Sequence, residues 1–438
     1  VEEGDGGMSK FKRYERYKDS GVEWIGEIPE EWDLSKIKYI PKYEYKSFVD
    51  GDWIESPYIT DEGIRLIQTG NIGIGSYKEQ GYRYISEDTF KDLNCTEVYP
   101  NDVLICRLAG PVGRACLAPS LTERMITSVD VCILKPKDNI DRRYLVYILS
   151  YDGYLQEADF LARGGTRQRI SRTQLGNINI LLPPTDQQKS IANFLDQKTA
   201  EIDGLIADKE KLIELLQEKR QAIITETVTK GLNPNVKMKD SGIEWIGEIP
   251  EHWNTSSLRW YVSIKSGDFI SQEDIDVEGK IPVIGGNGLM SYTNKTNCNY
   301  KTIAIGRVGA LCGNVHLIRR PSWITDNALF ITNLSNKLYI EYLFYVLKAL
   351  DLNQYANKTA QPLISGSLVK SRIIPIPPIV EQAAIADFLD QKTAEIDDLI
   401  TEIKLQIQKL KEYRQSLISE AVTGKIDVRE FGSISEVI

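Results

Sequence analysis

Apolar residues recur at helical spacing in two long stretches of the chain. In the first stretch, the apolar positions include Ile191, Leu195, Ile202, Leu205, Leu212, Leu216 and Ile223. In the second stretch, apolar residues fall every seven positions, at Leu389, Ile396, Ile403, Leu410 and Leu417, with Ile385 and Leu399 at part of the companion position. A seven-residue apolar repeat is typical of a helix that buries one seam against another helix. The pattern therefore predicts two long helices that pair with each other.

The limits of the first long helix are marked by residues that stop or start helices. Pro183 and Pro184 close the preceding segment, and Thr185 or Asp186 can cap the helix. Between Pro184 and Gly231 only Gly204 interrupts the helical composition. At about 1.5 Å per residue, a helix of some 40 residues spans about 60 Å.

Shorter apolar runs separated by Gly, Pro and Asn predict β-strands ahead of the first long helix. The clearest runs are 64–68, 103–107 and 129–134. Residues 142–161 have apolar side chains at helical spacing instead. Residues 33–180 should therefore form a mixed module of strands and helices, and 254–374 parallels this module in outline.

Two segments of the chain occur twice. KDSGVEWIGEIPE at 18–30 returns as KDSGIEWIGEIPE at 239–251, and each copy is followed by a tryptophan, Trp32 or Trp253. FLDQKTAEID occurs at 194–203 and again at 388–397, a shift of 194 residues. The repeated segments form a frame around two modules that are not visibly repeated. Since one helix cannot bury its own seam, antiparallel pairing of the two copies is expected, with the modules at opposite ends.

The repeats divide the chain into five expected parts. These are an N-terminal extension (1–17), a first frame segment with its module (18–184), the first long helix (185–230), a second frame segment with its module (231–378), and the second long helix with a tail (379–438). A length of 438 residues agrees with two to four domains.

The net charge of −9 argues against nucleic-acid binding until its distribution is considered. Residues 33–180 carry 19 Lys and Arg against 20 Asp and Glu, and residues 254–374 carry 13 against 8. The acidity is therefore concentrated in the repeated frame. A protein that is acidic overall can still present a local basic surface.

Composition excludes several other classes of protein. The six cysteines form no CxxC pair and there are only two histidines, so a zinc site is not expected and reduced, partly buried thiols are. No apolar run is long enough for a transmembrane helix, and residues 1–8 lack the apolar core of a signal peptide. These features predict a cytoplasmic protein.

With this layout, the chain resembles the specificity subunit of a Type I restriction–modification enzyme, from about residue 18 to residue 428. The resemblance rests on the two GEIPE–Trp segments, the Arg–x–x–Gly turns, the two FLDQKTAEID helices, and the module ends Leu182-Pro183-Pro184 and Ile376-Pro377-Pro378. It implies an α+β fold in which two similar target recognition domains are separated by two long antiparallel coiled-coil helices, with an internal pseudo-two-fold repeat.

The resemblance also implies a function and a set of partners. Each target recognition domain would read one half of a bipartite, asymmetric site in double-stranded DNA. The paired helices would set the spacing and dock two adenine-N6 methyltransferase subunits, which bind S-adenosylmethionine. Restriction subunits that use ATP and Mg are a further class of partner, whereas the chain itself would bind no cofactor, carry out no catalysis and contact no membrane.

Loops that follow strands offer side chains for base contacts. Specific contacts come mostly from Arg or Lys to guanine and from Asn or Gln to adenine. Gln68, Thr69 and Asn71 lie in a Gly-punctuated loop, and Asn287 occupies the similar place in the second module. The structural alternative is a turn in which Asn adopts a left-handed conformation.

Arginines beside Gly-rich turns form a second group of candidates. Arg107 and Arg307 each precede such a turn, and Arg114 and Asn314 follow. The structural alternative for Arg107 and Arg307 is a buried ion pair, for which the candidate partners are Asp130 and Asp326.

The most basic loop of the chain gives the third group. Its residues suit phosphate and base-edge contacts, and its candidates are Arg163, Arg167, Gln168, Arg169 and Arg172, with Lys358 and Gln361 as the counterparts in the second module. The duplicated tryptophans Trp24, Trp32, Trp245 and Trp253 are assigned instead to structural or partner-docking contacts.

Two other hypotheses have different consequences. A coiled-coil interaction scaffold without DNA recognition agrees with the overall acidity but not with two divergent modules in one frame. A standalone enzyme is disfavoured by the absence of a phosphate-binding loop, a metal cluster and a nucleophile elbow. Pro183-Pro184 and Pro377-Pro378 also lack the Asn or Asp and the aromatic residue of an adenine methyltransferase motif.

Overall fold

A computed structural model describes residues 11–162, 168–309, 311–356 and 362–431. Its first part contains β1 (Tyr17–Asp19), β2 (Glu27–Pro29), β3 (Asp33–Lys36), β4 (Phe48–Asp50), β5 (Ile64–Ile67), β6 (Tyr84–Ile85), α1 (Glu87–Asp92), β7 (Val103–Cys106), β8 (Ala115–Leu117), β9 (Met125–Thr127), β10 (Val131–Leu134), α2 (Arg142–Ile148), α3 (Asp152–Leu161), α4 (Arg172–Asn177), β11 (Asn179–Leu182) and α5 (Thr185–Lys230).

The second part repeats this order with few changes. It contains β12 (Met238–Asp240), β13 (Glu248–Pro250), β14 (Asn254–Ser257), β15 (Val262–Ser266), β16 (Ile281–Gly285), β17 (Gly288–Thr293), β18 (Thr302–Gly306), β19 (Val315–Ile318), β20 (Trp323–Ile324), β21 (Ala328–Leu334), α6 (Ile340–Ala349), α7 (Gly366–Lys370), β22 (Ile373–Ile376) and α8 (Ile379–Val422). The α+β class, the two long helices and the internal repeat are confirmed.

The chain forms two compact units. Unit 1 contains the described residues up to Ala207 and those from Gln406 onward, and unit 2 contains residues 208–405. Unit 1 is thus built from both ends of the chain and unit 2 from its middle. Each unit includes one module, one part of α5 and one part of α8.

The two units have matching sheets. A four-stranded antiparallel sheet has the order β4-β10-β7-β8 in unit 1 and β15-β21-β18-β19 in unit 2. A three-stranded sheet has β5 or β16 at its centre, with one antiparallel and one parallel neighbour. The frame adds the pairs β1–β2 and β12–β13, and β3–β11 and β14–β22. Each module therefore begins and ends on one two-stranded ribbon.

The central strands of the modules are apolar because both of their faces are covered. All four residues of β7 and all five of β18 are buried. In unit 2, Ile303 and Ile305 of β18 belong to one core cluster with Tyr342 of α6 and Leu389 of α8. The module is thereby packed directly on the long helix that follows it.

A buried glutamine joins the start of each long helix to its module. The side chain of Gln188 accepts a hydrogen bond from Asp141 N at 2.9 Å and donates one to Pro183 O at 2.8 Å. Gln382 likewise accepts from Tyr339 N at 2.7 Å and donates to Pro377 O at 2.8 Å. Both glutamines hold the backbone of the residue that precedes α2 or α6, so the same junction occurs twice.

The frame tryptophans divide into two classes. Trp32 and Trp253 are fully buried, and their indole Nε1 atoms donate to Gln187 Oε1 at 2.8 Å and Glu381 Oε2 at 2.9 Å. Since no part of these rings reaches the surface, they anchor each frame segment to a long helix of the same unit. For this pair the structural alternative of the prediction is therefore correct and the partner-docking alternative is not. Trp24 and Trp245 are only half-buried, and for them that role stays a prediction.

The long helices run antiparallel within each unit. In unit 1, Asp203 of α5 binds Arg414 of α8 at 2.9 and 3.1 Å, and Phe194 contacts Phe431, with 4.7 Å between ring centroids. As the residue number falls from 203 to 194 along α5, the number of the contacting residue rises from 414 in α8 to 431 in the segment that follows it, so the two run in opposite directions. In unit 2, Arg220 contacts Asp397 at 3.1 Å, which repeats the Asp203 contact after the shift of 194 residues.

The seam between the helices is narrower than the apolar pattern suggests. Ile202, Ile396 and Ile403 are buried as expected. Leu399, expected at the companion position, is 48% exposed, so that prediction is wrong. Leu205 and Leu212, two of the apolar positions of the first helix, are 51% and 44% exposed. These three leucines fall on the outer face, because a seam of paired helices covers only the positions that face the partner.

The cysteines agree with reduced thiols. All six are buried and free of disulfides. Burial raises the pKa of Cys95 to about 11 and that of Cys116 to about 12, so both thiols stay protonated. Among the described residues, no group of His, Cys, Asp and Glu could hold a metal ion, and no helix has the length and apolarity needed to cross a bilayer.

The seam gives a testable difference between two neighbouring residues of α8. Ile403→Ala removes a side chain that is 8% exposed, so we expect the free energy of unfolding to fall by about 2–4 kcal/mol. Leu405→Ala is the matched control, because its side chain is 55% exposed and its loss should change the value by less than about 0.5 kcal/mol. Urea unfolding followed by circular dichroism measures both; equal effects would contradict the assigned seam.

Candidate nucleic-acid interface

The loops that carry the predicted DNA-binding residues come together within unit 1. Leu108, in the turn after β7, forms a bridge with Arg169, in the segment before α4. Arg107 N donates to Asp130 O at 2.8 Å, which joins the same turn to the start of β10. The loop after β5 is joined to this turn by Arg114. The candidate residues of the first module that the structure describes therefore lie in one cluster of loops.

Arg114 is the connector of this cluster, and its side chain is 7% exposed. Its Nε donates to Ile72 O at 2.7 Å, and its Nη2 donates to Thr69 O at 2.8 Å. Its Nη1 donates to the carbonyls of Leu108 and Pro111, both at 2.8 Å. A guanidinium whose donors are occupied by carbonyl groups of both loops cannot also contact a base. Arg114 therefore holds the loop after β5 and the turn after β7 together and does not contact DNA itself.

Asn71 has a similar supporting role. It is 2% exposed; its Oδ1 accepts from Gln68 N at 2.8 Å, and its Nδ2 donates to Lys78 O and Gln80 O at 2.9 and 2.8 Å. The direct-contact prediction is corrected for Asn71 as it is for Arg114, because both side chains are buried and fully bonded. Gln68 and Thr69 are half-buried.

Arg107 is held between two carboxylates, and its side chain is 7% exposed. Its Nε lies 3.3 Å from Asp50 Oδ1, its Nη2 lies 3.9 Å from Asp130 Oδ1, and Nη2 donates to Val129 O at 2.5 Å. The buried ion pair is thus the correct alternative for this arginine, and DNA contact is not supported. Asp130 was one expected partner; Asp50 was not identified from the sequence.

The arginines beside this pair are partly exposed. Arg169 Nε lies 2.7 Å from Asp130 Oδ1, and the side chain is 45% exposed. Arg172 Nη1 donates to Phe48 O at 2.9 Å, and its Nε lies 3.9 Å from Asp50 Oδ2, with 40% of the side chain exposed. Gln168 is exposed, whereas Arg163 and Arg167 lie outside the described residues.

Unit 2 has the same loop arrangement with different side chains. Asn287 is exposed in the turn between β16 and β17, and its Oδ1 accepts from Asn314 Nδ2 at 3.0 Å. Asn314 stands where Arg114 stands in unit 1, since its carbonyl accepts from Gly306 N as that of Arg114 accepts from Cys106 N. Two predicted residues therefore meet, while Lys358 and Gln361 lie outside the described residues.

Arg307 differs from Arg107 in its partners. Its Nη1 donates to Ser266 Oγ at 3.1 Å and to the backbone oxygen of Asp326 at 3.4 Å. Among the residues that the structure describes, no carboxylate pairs with it, so the ion pair with Asp326 is not formed. The side chain is half-buried, which leaves part of the guanidinium at the surface.

One exposed aromatic residue beside each cluster was missed in the sequence. Trp53 is 70% exposed and Phe269 is 74% exposed, and each comes three residues after Asp50 or Ser266. The repeated tripeptide Gly-Asp-aromatic at 51–53 and 267–269 is the signal that could have identified them. An exposed ring beside cationic side chains can stack on a nucleobase.

The half-buried frame tryptophans lie against their own modules. Trp24 is 6.1 Å from the ring of Tyr151, and Trp245 Nε1 donates to Ile373 O at 3.3 Å. Trp24 borders a shallow pocket of about 750 Å³, and Trp245 borders one of about 600 Å³. Each ring therefore lies at the edge of a pocket that is open to solvent.

Comparison with known proteins gives one consistent family. The family model described as "Type I restriction modification DNA specificity domain" matches residues 30–215 and 250–409. Among curated proteins, the MjaX specificity subunit of Methanocaldococcus jannaschii is 25% identical, covering 96% of this chain and 99% of its own. The MjaVIII specificity subunit of the same organism is 26% identical, covering 92% and 94%.

A solved structure has a similar fold. It comes from work on complex assembly and conformational transition of the type I R-M system, and it matches with a TM-score of 0.69 over 90% of this chain and 98% of that one. The sequence identity is 14%, so this likeness concerns the fold.

The buried connector of unit 1 can be tested by its removal. Arg114→Ala leaves several buried carbonyls without donors, so we expect the free energy of unfolding to fall by about 3 kcal/mol. Arg114→Lys should not restore it, because an ammonium cannot reproduce the geometry of the guanidinium. Arg83→Ala is the control at an exposed arginine and should cost less than about 0.5 kcal/mol. Urea unfolding distinguishes them; an Arg114→Ala chain as stable as the control would refute the supporting role.

Proposed function

Because the chain belongs to the Type I restriction modification DNA specificity family, we propose that each of its units reads one half of a bipartite, asymmetric DNA site. The chain is the specificity subunit of such a system, and specificity subunits are non-catalytic. The observation that carries the proposal is that one backbone frame occurs twice with different side chains on its loop cluster. Two unlike readers of one fold suit two unlike short sequences.

The side chains left at the surface suit base and phosphate contacts. In unit 1 these are Gln68, Thr69, Gln168, Arg169 and Arg172, and in unit 2 they are Asn287, Asn314 and Arg307. Guanidinium and amide groups recognise guanine and adenine edges respectively, and arginines also neutralise phosphates. Arg163, Arg167, Lys358 and Gln361 are proposed as further contacts from sequence alone.

The paired helices are proposed to set the spacing between the two half-sites. A helix of 46 residues, such as α5, is about 69 Å long at 1.5 Å per residue. One turn of B-DNA advances about 34–36 Å, so two sites on one face of the duplex are separated by about that distance or a multiple of it. A continuous helix is stiff enough to fix such a gap.

Two adenine methyltransferase subunits are the proposed protein partners. The outer faces of α5 and α8 expose leucines that a solvated helix does not require, namely Leu205 in unit 1 and Leu212, Leu215, Leu399 and Leu405 in unit 2. Exposed apolar patches mark interaction sites, and the partly exposed Trp24 and Trp245 are further candidates for the partner contact. S-adenosylmethionine, and ATP with Mg where restriction subunits join, would be bound by the partners.

DNA recognition predicts a salt-dependent complex. Arg169→Ala, in the chain assembled with its methyltransferase, should weaken binding to duplex DNA and reduce the slope of log K against log salt by about 0.9 if one phosphate contact is lost. Assembly with the methyltransferase should not change. Fluorescence anisotropy at several salt concentrations measures the slope. Wild-type assembly without salt-dependent DNA binding would favour a coiled-coil scaffold instead.

Partner docking predicts a separate loss. Leu399→Glu places a charge on the exposed outer face of α8, so we expect folding to be preserved and methyltransferase binding to fall at least tenfold, a loss of about 1.4 kcal/mol. Lys404→Ala, at an exposed polar position of the same helix, is the control and should bind normally. Light scattering of the purified mixtures reports the assembly; undiminished binding by the Leu399 variant would exclude this face as the dock.

A further inference from the structure

The two units place an arginine at the same backbone position but surround it differently. Arg107 N donates to Asp130 O at 2.8 Å, and Arg307 N donates to Asn327 O at 2.9 Å. Asn327 therefore stands where Asp130 stands. In the same way, Asp50 ends edge strand β4 and Ser266 ends edge strand β15, and each contacts the arginine of its unit. Two carboxylates in unit 1 are thus replaced by two neutral side chains in unit 2.

The neighbouring arginines are replaced as well. Leu108 bridges Arg169 in unit 1, and Val308 bridges Leu363 in unit 2. Serine caps both short helices, and the first helical residue is Arg172 in α4 but Gly366 in α7. Counting these positions, three arginines and two carboxylates give unit 1 a charge of +1, and one unpaired arginine gives unit 2 the same +1.

An equal charge is therefore distributed in two ways, and this distribution decides what each arginine can do. Moving Arg107 to a DNA base would withdraw the most buried of the three cations from Asp50 and Asp130, whose side chains are only 33% and 24% exposed. The two carboxylates would then outweigh the remaining pairing beside a polyanion, which is unfavourable. Arg307 gives up only a hydroxyl and a carbonyl, groups that water can replace. A half-exposed guanidinium without a carboxylate can form the bidentate contact to guanine O6 and N7.

We propose that Arg307 is a specificity-determining residue of unit 2, whereas Arg107 is a positioning residue of unit 1. Arg107 shares Asp50 with Arg172 and Asp130 with Arg169, and the shared carboxylates hold these two partly exposed arginines where they can meet the DNA backbone. This proposal rests on the proposed DNA-reading function. It assigns a G·C pair to the half-site read by unit 2, since paired acceptors on guanine are what a free guanidinium recognises in the major groove. Base reading in unit 1 falls to other side chains of its loops.

The test uses the full chain assembled with its methyltransferase and duplexes in which each base pair of the recognised site is changed in turn. Arg307→Ala should lose discrimination at one G·C pair by roughly 5- to 150-fold. Arg172→Ala should leave discrimination intact and lower the salt slope by about 0.9. Arg107→Ala should weaken binding to all duplexes alike, and adding Asp50→Ser and Asp130→Asn should restore it, which a merely structural role would not.

A reciprocal exchange gives a second route that does not depend on the stability of Arg107→Ala. Ser266→Asp with Asn327→Asp gives unit 2 the carboxylates of unit 1, so Arg307 should become paired and discrimination at its base pair should be lost in a folded complex. Full discrimination by Arg307→Ala, or by this double variant, would overturn the proposal. A wild-type complex that binds all duplexes equally would instead refute the proposed function itself.

Discussion

The constraint on which the structure depends is the junction at which a module meets its long helix. Gln188 and Gln382 each complete the backbone hydrogen bonding of a proline-ended strand and of the helix start in the module. Tyr147 binds Asp196 at 2.8 Å, and Tyr345 binds Asp390 at 2.6 Å, in each case about two turns further along α5 or α8. Buried hydrogen bonds are directional, whereas apolar contacts alone would allow a module to slide along the helix. The junction thus fixes each module on its own helix. Because the same junction occurs in both units, the two modules are attached to their helices in the same way.

Because both modules are attached to their helices in the same way, their exposed loops can differ. Arg114 and Asn314 occupy one backbone position, yet the side chain of the first joins two loops through their carbonyl groups, whereas the side chain of the second donates to Asn287. The core beneath these loops consists of buried strands with ordinary apolar side chains. Function can therefore diverge on the loops without disturbing the frame. The acidity of the frame, and with it the net charge of −9, is compatible with DNA binding because the modules themselves are neutral to basic.

Periodicity and internal repetition were sufficient to predict the long helices, the strands of the modules and the pairing of the two copies, since these features depend on local pattern and on the need to bury one face. They could not tell Leu205 from Ile202, because the exposed and buried sides of a helix pair depend on the crossing geometry. They also missed Asp50, which lies 57 residues from Arg107 in sequence and meets it only in the folded sheet. The choice between a structural and a partner-docking role for Trp32 stayed open for a similar reason, since its partner, Gln187, lies 155 residues away in sequence.

We propose that two unlike readers, held in one repeated frame, act on one DNA site. The most direct test is to map methylated adenines genome-wide in cells that express this chain with its methyltransferase. We expect one asymmetric sequence made of two short specific elements, separated by a non-specific gap of constant length. A single continuous motif, a palindromic motif, or a gap that varies from site to site would contradict it.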